Sequence, residues 1–317
     1  MTALDPRHLA LLRCPGSRAR LAVERGALVE PTTGQRFEVT ASGVPRLLPP
    51  DTSEDARRQM EHYDEAFAKQ YGENLAYPHT QEYMVYLDHC LEKEVRPHDL
   101  ESVAELCCGQ GEMLELFGER VRFGVGVDVS LPMLERARQA SPGRLDFLYA
   151  QGDATRLPLA DASVGSVFML GGVHHVSDRG ALFREVARVL RPGGRFFFRE
   201  PVSDFFLWRA IRAVIYRLSP ALDADTERPL LWDETVPVLR EAGLELVSWK
   251  TYGFLGFCVF MNSDVLVYNR LFRFIPGIRS ITRLAAAIDD LTTRLPGLRR
   301  SGLQVVGVAR KPGGSTP

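Results

Sequence analysis

The sequence contains few cysteines, no excess of charge of either sign and no long apolar run. Its cysteines number five, and only Cys107 and Cys108 lie close together, which argues against a disulfide framework. The net charge of −1 gives no general attraction to nucleic acid. The longest uncharged stretch near the C-terminus, 251–263, has 13 residues and is too short to cross a bilayer. With no apolar signal-peptide core at the start, we expect a cytoplasmic protein.

Two domains are predicted from the pattern of turns. Residues 1–50 contain short apolar runs broken by PGS, RG, PTTG and ASG, which is typical of short strands and turns. Pro49-Pro50 ends this small domain, and 51–317 form the larger one. A helix is expected over 54–71, with Thr52 or Ser53 as its N-cap.

From residue 101 onward, strand and helix patterns alternate, which predicts an α/β domain. The expected sheet is parallel and Rossmann-like, with helices on both faces and an insertion of about 50 residues, 253–302, that is helical. A stop at Arg191-Pro192-Gly193-Gly194 is expected to precede the fifth strand. The predicted strands are 102–106, 121–129, 145–153, 164–172, 195–201 and 303–311.

The stretch VAELCCGQGE carries the first chemical signal. Gly109 and Gly111 follow the first strand of the large domain, where ligands bind parallel sheets. Asp128 stands at the end of the next strand, where a carboxylate accepts the hydroxyls of a ribose. A dinucleotide loop would need a third glycine where Leu114 stands, and Glu105 would repel a pyrophosphate. A cationic sulfonium amino acid fits better, which favours S-adenosylmethionine (SAM) over NAD.

These motifs resemble those of the class I SAM-dependent methyltransferases, in the branch that includes ubiquinone, menaquinone and many natural-product methyltransferases. The resemblance covers roughly residues 60–250 and the last strand. The family's first motif is acid-x-Gly-x-Gly-x-Gly, and ELCCGQG matches it except that Cys107 replaces the first glycine. The resemblance implies that SAM contacts the loop from Glu105 through Cys107, Gly109 and Gly111. In GVDVS, it implies that Asp128 binds the ribose, with Val129 beside it.

The resemblance implies further SAM contacts along the chain. Met133 in SLPMLERAR is expected to pack against the adenine. GDATRLPLADASVGSVF resembles a family stretch in which Asp153 would bind the adenine amino group and Ala154 would offer a backbone contact. Leu170 is expected under the methionine part of SAM. Tyr63 in HYDEAFAKQYG is expected to reach SAM from the entry segment.

Catalytic residues are sought in GGVHHVSD, which follows the fourth strand. Methyl transfer needs alignment of the reactants and sometimes removal of a proton, which a histidine performs near neutral pH. His175 and, after it, His174 are the candidate bases, and a structural turn is the alternative. Glu200, at the end of the fifth strand, is a candidate base or acceptor anchor, with a structural carboxylate as its alternative.

The N-terminal block resembles a small zinc-ribbon family whose relatives sit beside RNA and protein methyltransferases. Of its two Cys-x-x-Cys pairs only Cys14 is present; Ser17, Glu30 and Thr33 occupy the other positions. One thiolate cannot hold structural zinc, so a degenerate ribbon without metal is expected. Three roles stay open: bracing the SAM domain, contributing to a homodimer, or shaping the acceptor site.

The expected function is methyl transfer from SAM to a small, hydrophobic or aromatic acceptor in secondary metabolism or quinone-like biosynthesis. Oxygen, carbon and nitrogen acceptors stay open, and the aromatic-rich segments 205–218 and 253–277 are expected to form the acceptor pocket. The alternatives are a non-catalytic or regulatory SAM-binding module, SAM that assists another reaction by its charge, and an RNA methyltransferase. No nucleic-acid partner is expected. Residues 270–300 carry a local charge of +5, which favours an anionic substrate, a membrane surface or a solvated helix face.

Overall fold

A computed structural model describes residues 4–62, 76–218, 228–254 and 267–313. The predicted SAM contact Tyr63 lies outside these ranges, as do residues 255–266 of the predicted acceptor segment 253–277. Within the described ranges, no helix is both long and apolar enough to span a bilayer.

The N-terminal residues form a small antiparallel sheet that packs on the main domain. Its strands, in the order β1-β2-β3, are β1 (Ala22–Glu24), β2 (Ala27–Val29) and β3 (Arg36–Phe37). Leu12 pairs with Leu159, and the Leu47 amide donates to the Gln151 carbonyl at 2.8 Å. Leu12 and Leu47 are fully buried in the same apolar cluster as the main sheet, so the two regions share one core.

The main sheet has seven strands in the order β6-β5-β4-β7-β8-β10-β9. Strands β4 to β8 run parallel to one another, and β10 is antiparallel to both β8 and β9. This confirms the predicted α/β fold class. Strands such as β4 are buried along their whole length, which is typical of a sheet covered on both faces. The strands are β4 (Val103–Leu106), β5 (Gly124–Asp128), β6 (Phe147–Gln151), β7 (Val164–Leu170), β8 (Leu190–Pro201), β9 (Glu245–Tyr252) and β10 (Gln304–Arg310).

Helices of the described residues flank the sheet and begin at the capping residues that the sequence supplies. The Ser53 hydroxyl accepts from the Ala56 amide at 3.2 Å, and Ser130 and Asp178 cap later helices in the same way. The helices are α1 (Pro6–Leu11), α2 (Glu54–His62), α3 (Pro78–Glu92), α4 (Glu112–Phe117), α5 (Leu131–Ala140), α6 (Arg179–Val189), α7 (Phe206–Leu218), α8 (Trp232–Glu241) and α9 (Ile278–Thr292).

Strand β8 begins five residues earlier than predicted, so Arg191-Pro192-Gly193-Gly194 lies inside the strand and not before it. Leu190 already pairs with Val164, and a shift of register follows before Ser166. Lys311, which follows β10, forms backbone hydrogen bonds with this segment. The Gly193 amide donates to the Lys311 carbonyl, and the Lys311 amide donates to the Gly194 carbonyl, both at 2.9 Å. The segment Arg191-Pro192-Gly193-Gly194 therefore follows the end of α6 directly and forms part of strand β8.

The described part of the insertion is helical, as expected, and packs on α3. The Tyr86 hydroxyl of α3 donates to Asp290 of α9, and Glu82 of α3 lies 3.6 Å from Arg279. Helix α3 is in turn fixed to the sheet by an ion pair between Asp88 and the buried Arg199. The insertion and α3 therefore stand over the carboxyl end of β8.

Candidate active site

In the loop after β4, every second residue from 107 to 111 has a backbone in the left-handed region. Cys107, Gly109 and Gly111 have φ of 49°, 48° and 89°. Gly111 also lacks room for a side chain, because a Cβ there would lie 2.5 Å from the Tyr149 hydroxyl. The loop is closed by the Gly111 amide, which donates to the Cys108 carbonyl at 2.7 Å. Glycine at 109 therefore meets a conformational demand, and glycine at 111 meets a steric demand as well.

Cys107 adopts the backbone conformation that its glycine-like position requires. A left-handed conformation costs a residue with a Cβ about 1–2 kcal/mol. The loop after β7 accommodates the side chain, because a Cβ at Gly172 would lie only 2.6 Å from the Cys107 Cβ. Sequence reasoning missed this complementarity, for which the Gly171-Gly172 pair is the only signal in the sequence.

Asp128 joins the ends of β4 and β5. One carboxylate oxygen accepts from the Gly109 amide and the other from the Ser130 amide, both at 2.8 Å. Burial raises the pKa of Asp128, and these two backbone hydrogen bonds oppose the rise. Each oxygen retains a second acceptor position, which is the capacity that the hydroxyls of a ribose require.

Glu105 is buried beneath the glycine loop. One oxygen accepts from the Met113 amide at 2.7 Å and so caps α4, whereas the other has no hydrogen-bond partner among the described residues. Burial raises the pKa of Glu105 well above its ordinary value, and the neighbouring Glu112 and Asp128 add to the rise. A buried acceptor without a partner is costly unless a ligand supplies a donor.

Asp153 is more fully engaged than the sequence suggested. It accepts from the Thr155 amide and hydroxyl at 2.8 and 2.7 Å, and from the Ser53 amide at the start of α2 at 3.2 Å. This ties the start of α2 to the loop after β6. The other predicted contacts surround the glycine loop or the strand ends. They are Met133, whose sulfur lies 3.8 Å from the side-chain nitrogen Nε2 of Gln110, the partly buried Val129, and the buried Ala154 and Leu170.

Glu200 organises the loop after β7 from the end of β8. Its side chain is fully buried; one oxygen accepts from the Gly172 and Val173 amides at 2.8 and 2.9 Å. The other accepts from the His174 amide at 3.4 Å and lies 2.8 Å from His174 Nδ1. Because a carboxylate accepts, Nδ1 is the donor, and the lone pair of His174 stands on Nε2. The His175 ring lies beside that of His174, with centroids 3.8 Å apart.

The thiols at the centre of the site are not prepared for metal binding or nucleophilic attack. Burial raises the pKa of Cys107 well above its ordinary value, and Asp128 and Glu200 raise it further. Burial likewise raises the pKa of Cys108. Both groups are therefore neutral thiols, which act as small apolar side chains.

An aromatic cluster stands above the ends of β8 and β9. Tyr83 and Leu87 of α3 and Trp208 of α7 are buried together with Leu303, which precedes β10. Partly buried aromatic side chains complete the cluster, namely Tyr86, Phe205, Tyr252 and Phe254. The described parts of the two predicted acceptor segments therefore meet at the carboxyl edge of the sheet.

Comparison with known proteins agrees with this geometry. The profile of a family described as "Methyltransferase domain" matches residues 104–198. The 2-phytyl-1,4-naphtoquinone methyltransferase of Thermosynechococcus vestitus is 37% identical over 174 residues, which are 48% of this chain and 75% of the relative. The chain belongs to the SAM-dependent methyltransferase family.

Other relatives of this methyltransferase family differ in coverage. The 27-O-demethylrifamycin SV methyltransferase of Amycolatopsis mediterranei is 35% identical over 158 residues, 44% of this chain. The chain spans about half of that relative's length, 53%. A solved SAM-dependent methyltransferase of Thermotoga maritima shares the fold, with a TM-score of 0.51 and 18% identity over 80% of this chain and 99% of that one. The family profile includes the glycine loop and both histidines, but ends before Glu200.

Proposed function

We propose that the chain transfers the methyl group of SAM to a small hydrophobic or aromatic acceptor. The observation that carries the proposal is the meeting of two loops at one edge of the sheet. The Asp128–Gly109 hydrogen bond shapes the loop after β4, and Glu200 shapes the loop after β7. Cys107 and Gly172 bring these loops into contact. One side thus suits a nucleoside with a charged amino acid, and the other suits an acceptor.

The side of the site that contains Asp128 and Glu105, here called the donor side, fits SAM because its carboxylates can accept hydrogen bonds from that ligand. Asp128 would hold the ribose hydroxyls, and the unpartnered oxygen of Glu105 would hold the ammonium group of the methionine part. Gly109 and Gly111 allow the backbone to approach the ligand, and Met133 lies beside the loop for the adenine. When bound, SAM supplies a sulfonium methyl group that is already activated for attack.

On the acceptor side, His174 is the base that the geometry favours. Glu200 holds Nδ1 and so fixes the ring and its tautomer, which leaves Nε2 to take a proton from an acceptor hydroxyl. Glu200 itself is a positioning residue, because its oxygens already accept four hydrogen bonds. His175 packs against His174 and supports the ring.

The acceptor class is inferred from the aromatic cluster and from the relatives. Tyr83, Trp208 and their neighbours present apolar and ring surface near the end of β8. The relatives named above act on a rifamycin and on a naphthoquinone. We therefore infer an acceptor with a ring-bound hydroxyl, methylated on oxygen or on a carbon that such a hydroxyl activates.

The direct test incubates the chain with SAM and a panel of phenols, hydroquinones and ansa-type naphthohydroquinones. Mass spectrometry then follows methylated product and S-adenosylhomocysteine together. Stoichiometric formation of both from a ring-hydroxyl acceptor is expected. Binding of SAM without product from any of these classes would oppose the assignment of the acceptor, and failure to bind SAM would oppose the function as a whole.

We also infer that the N-terminal segment is a ribbon held by hydrogen bonds at the positions where the zinc-ribbon family that it resembles binds zinc. Glu30 accepts from the Thr32 and Thr33 amides at 3.0 and 2.7 Å, which closes one turn. At the other turn, Cys14 Sγ lies 3.6 Å from the Gln35 side-chain oxygen, and Ser17 accepts from the Ala19 amide at 3.3 Å. Elemental analysis of the purified chain should find no stoichiometric zinc; one zinc per chain would overturn this inference.

A further inference from the structure

The exposed apolar side chains of the described residues are concentrated at one place. Eight of the fourteen large exposed ones lie between residues 271 and 295, in the turn before α9, on α9 and just after it. Scattered apolar residues on a surface need no explanation, but a contiguous group of this kind marks an interaction site.

Five of these side chains form a regular row, here called the outer stripe. Its members follow at intervals of three and four residues, so the four on α9 lie on one side of that helix, and Leu295 follows just after its end. The opposite side of α9 carries the contacts with α3, through Asp290 and Arg279. The outer stripe therefore points away from the protein. It consists of Ile281, Leu284, Ile288, Leu291 and Leu295, with exposed fractions of 43%, 62%, 44%, 64% and 49%.

The segment that carries the outer stripe has a net positive charge. Residues 271–300 contain six arginines, two aspartates and no other charged residue. Both aspartates are turned inward: Asp289 is buried, and Asp290 accepts from the Tyr86 hydroxyl. Glu82 of α3 faces Arg279 and Arg283 at 3.6 and 3.5 Å, yet these arginine side chains remain 49% and 65% exposed.

We propose that α9 docks this methyltransferase on an anionic lipid bilayer, with the outer stripe in the acyl boundary and the net positive charge of residues 271–300 attracting the headgroups. A helix of this kind binds through buried apolar area together with attraction to anionic lipids. Arginine side chains are long enough to reach the headgroups beside an apolar stripe.

A second copy of the chain is a poorer occupant of this surface. A stable two-fold interface needs about 800 Å² from each partner and roughly 20–30 residues, more than one five-residue stripe supplies. Pairing of identical surfaces would also bring together two segments of the same net positive charge. An anionic bilayer satisfies both the apolar stripe and the positive charge.

The experiment is flotation of the full chain with vesicles. Vesicles of phosphatidylcholine with phosphatidylglycerol should carry the chain upward, whereas pure phosphatidylcholine should carry much less, and added salt should weaken the binding. The double variant Leu284→Gln, Leu291→Gln should lower the bound fraction tenfold or more. The exposed Val85 and Val247 lie elsewhere, on α3 and β9, and Val85→Gln, Val247→Gln is the matched control, which should bind like the parent.

Circular dichroism checks that each variant is folded. We expect each to fold, because substitutions of exposed side chains usually change stability little. Absence of binding to anionic vesicles would overturn the proposal, as would equal binding by the stripe variant and its control. A dimer in sedimentation velocity that the stripe variant loses, without vesicle binding, would assign the stripe to a second copy instead. None of these readouts uses methyl transfer, so they fail or succeed independently of the proposed activity.

Discussion

The two sides of the site treat their buried carboxylates differently. On the donor side, where SAM would bind, Asp128 and Glu105 can accept further hydrogen bonds, and burial raises the pKa of both. On the acceptor side, where the methyl acceptor would bind, Glu200 already accepts four hydrogen bonds from the loop after β7. Carboxylates with spare capacity are suited to bind a ligand, whereas a saturated carboxylate is suited to hold other groups in place.

This difference predicts different consequences of mutation. Changes on the donor side should alter affinity for SAM and its pH dependence. Changes on the acceptor side should alter turnover while SAM binds normally. The variants below test this division from the largest expected effect to the smallest.

The largest effect is expected at His174. His174→Ala removes the proposed base, and turnover on a ring-hydroxyl acceptor should fall by roughly 10²- to 10⁴-fold. Affinity for SAM, measured by calorimetry, should stay within about twofold because the donor side is untouched. The two quantities together distinguish loss of a base from general damage.

His175→Ala is the matched control, since it removes the neighbouring imidazole but leaves the His174–Glu200 pair. Its turnover should fall by roughly tenfold at most, a small part of the effect expected for loss of a general base. A larger loss in His175→Ala than in His174→Ala would reverse the assignment of the base. Unchanged turnover in both would return the pair to a structural turn.

Asp128→Ala should weaken SAM binding by about 1–3 kcal/mol, because charge-assisted hydrogen bonds to the ribose are lost. Calorimetric titration measures the change. Asp178→Ala serves as control: it removes the cap of α6, so stability should fall by about 1 kcal/mol while affinity stays the same. An Asp128 variant with the parent's affinity would contradict the ribose contact.

Glu105→Gln tests the donor side through pH. Because burial raises the folded-state pKa of Glu105, the folded chain holds a proton that the unfolded chain releases, and stability falls as pH rises from the ordinary to the raised pKa. The SAM ammonium favours the ionised carboxylate, so affinity should rise with pH across the same window. Glu105→Gln keeps the acceptor for the Met113 amide and should flatten both slopes.

Thermal unfolding and calorimetry at several pH values measure these two slopes. The Asp128 pKa is also raised, so the difference between the parent and Glu105→Gln isolates the part due to Glu105. Slopes that are the same in both proteins would remove Glu105 from the ligand contact.

The smallest effect is expected at Cys107. Cys107→Gly relieves about 1–2 kcal/mol of left-handed strain, but it loses contact with Gly172 and adds freedom to the unfolded chain. The net change in the free energy of unfolding should be within about 1 kcal/mol, measured by urea denaturation. SAM affinity should change less than about threefold. A larger loss of affinity would give the cysteine a direct part in binding.

The sequence predicts those features that depend on local rules. Helix α5 begins where local rules place it, because Ser130 caps it and Pro132 stands in its first turn. The position of Asp128 beside the glycine loop was predictable because the end of the second parallel strand adjoins that loop. The start of β8 was missed because pairing with β10, more than 100 residues away, overrides the local stop signal.

Contacts between distant loops explain the remaining differences. The sequence ranks His175 before His174 as candidate base, because the contact with Glu200 that leads us to propose His174 joins residues 26 positions apart. Cys107 was recognised only as a departure from a glycine motif. Its accommodation depends on Gly172, which belongs to another loop.

The central claim is that the glycine loop and Asp128 form a SAM site. It is tested most directly by calorimetric titration of the parent chain with SAM, S-adenosylhomocysteine and NAD. We predict binding of the first two, no binding of NAD, and weaker binding of SAM by Asp128→Ala. Binding of NAD, or no binding of SAM by the folded chain, would contradict the account.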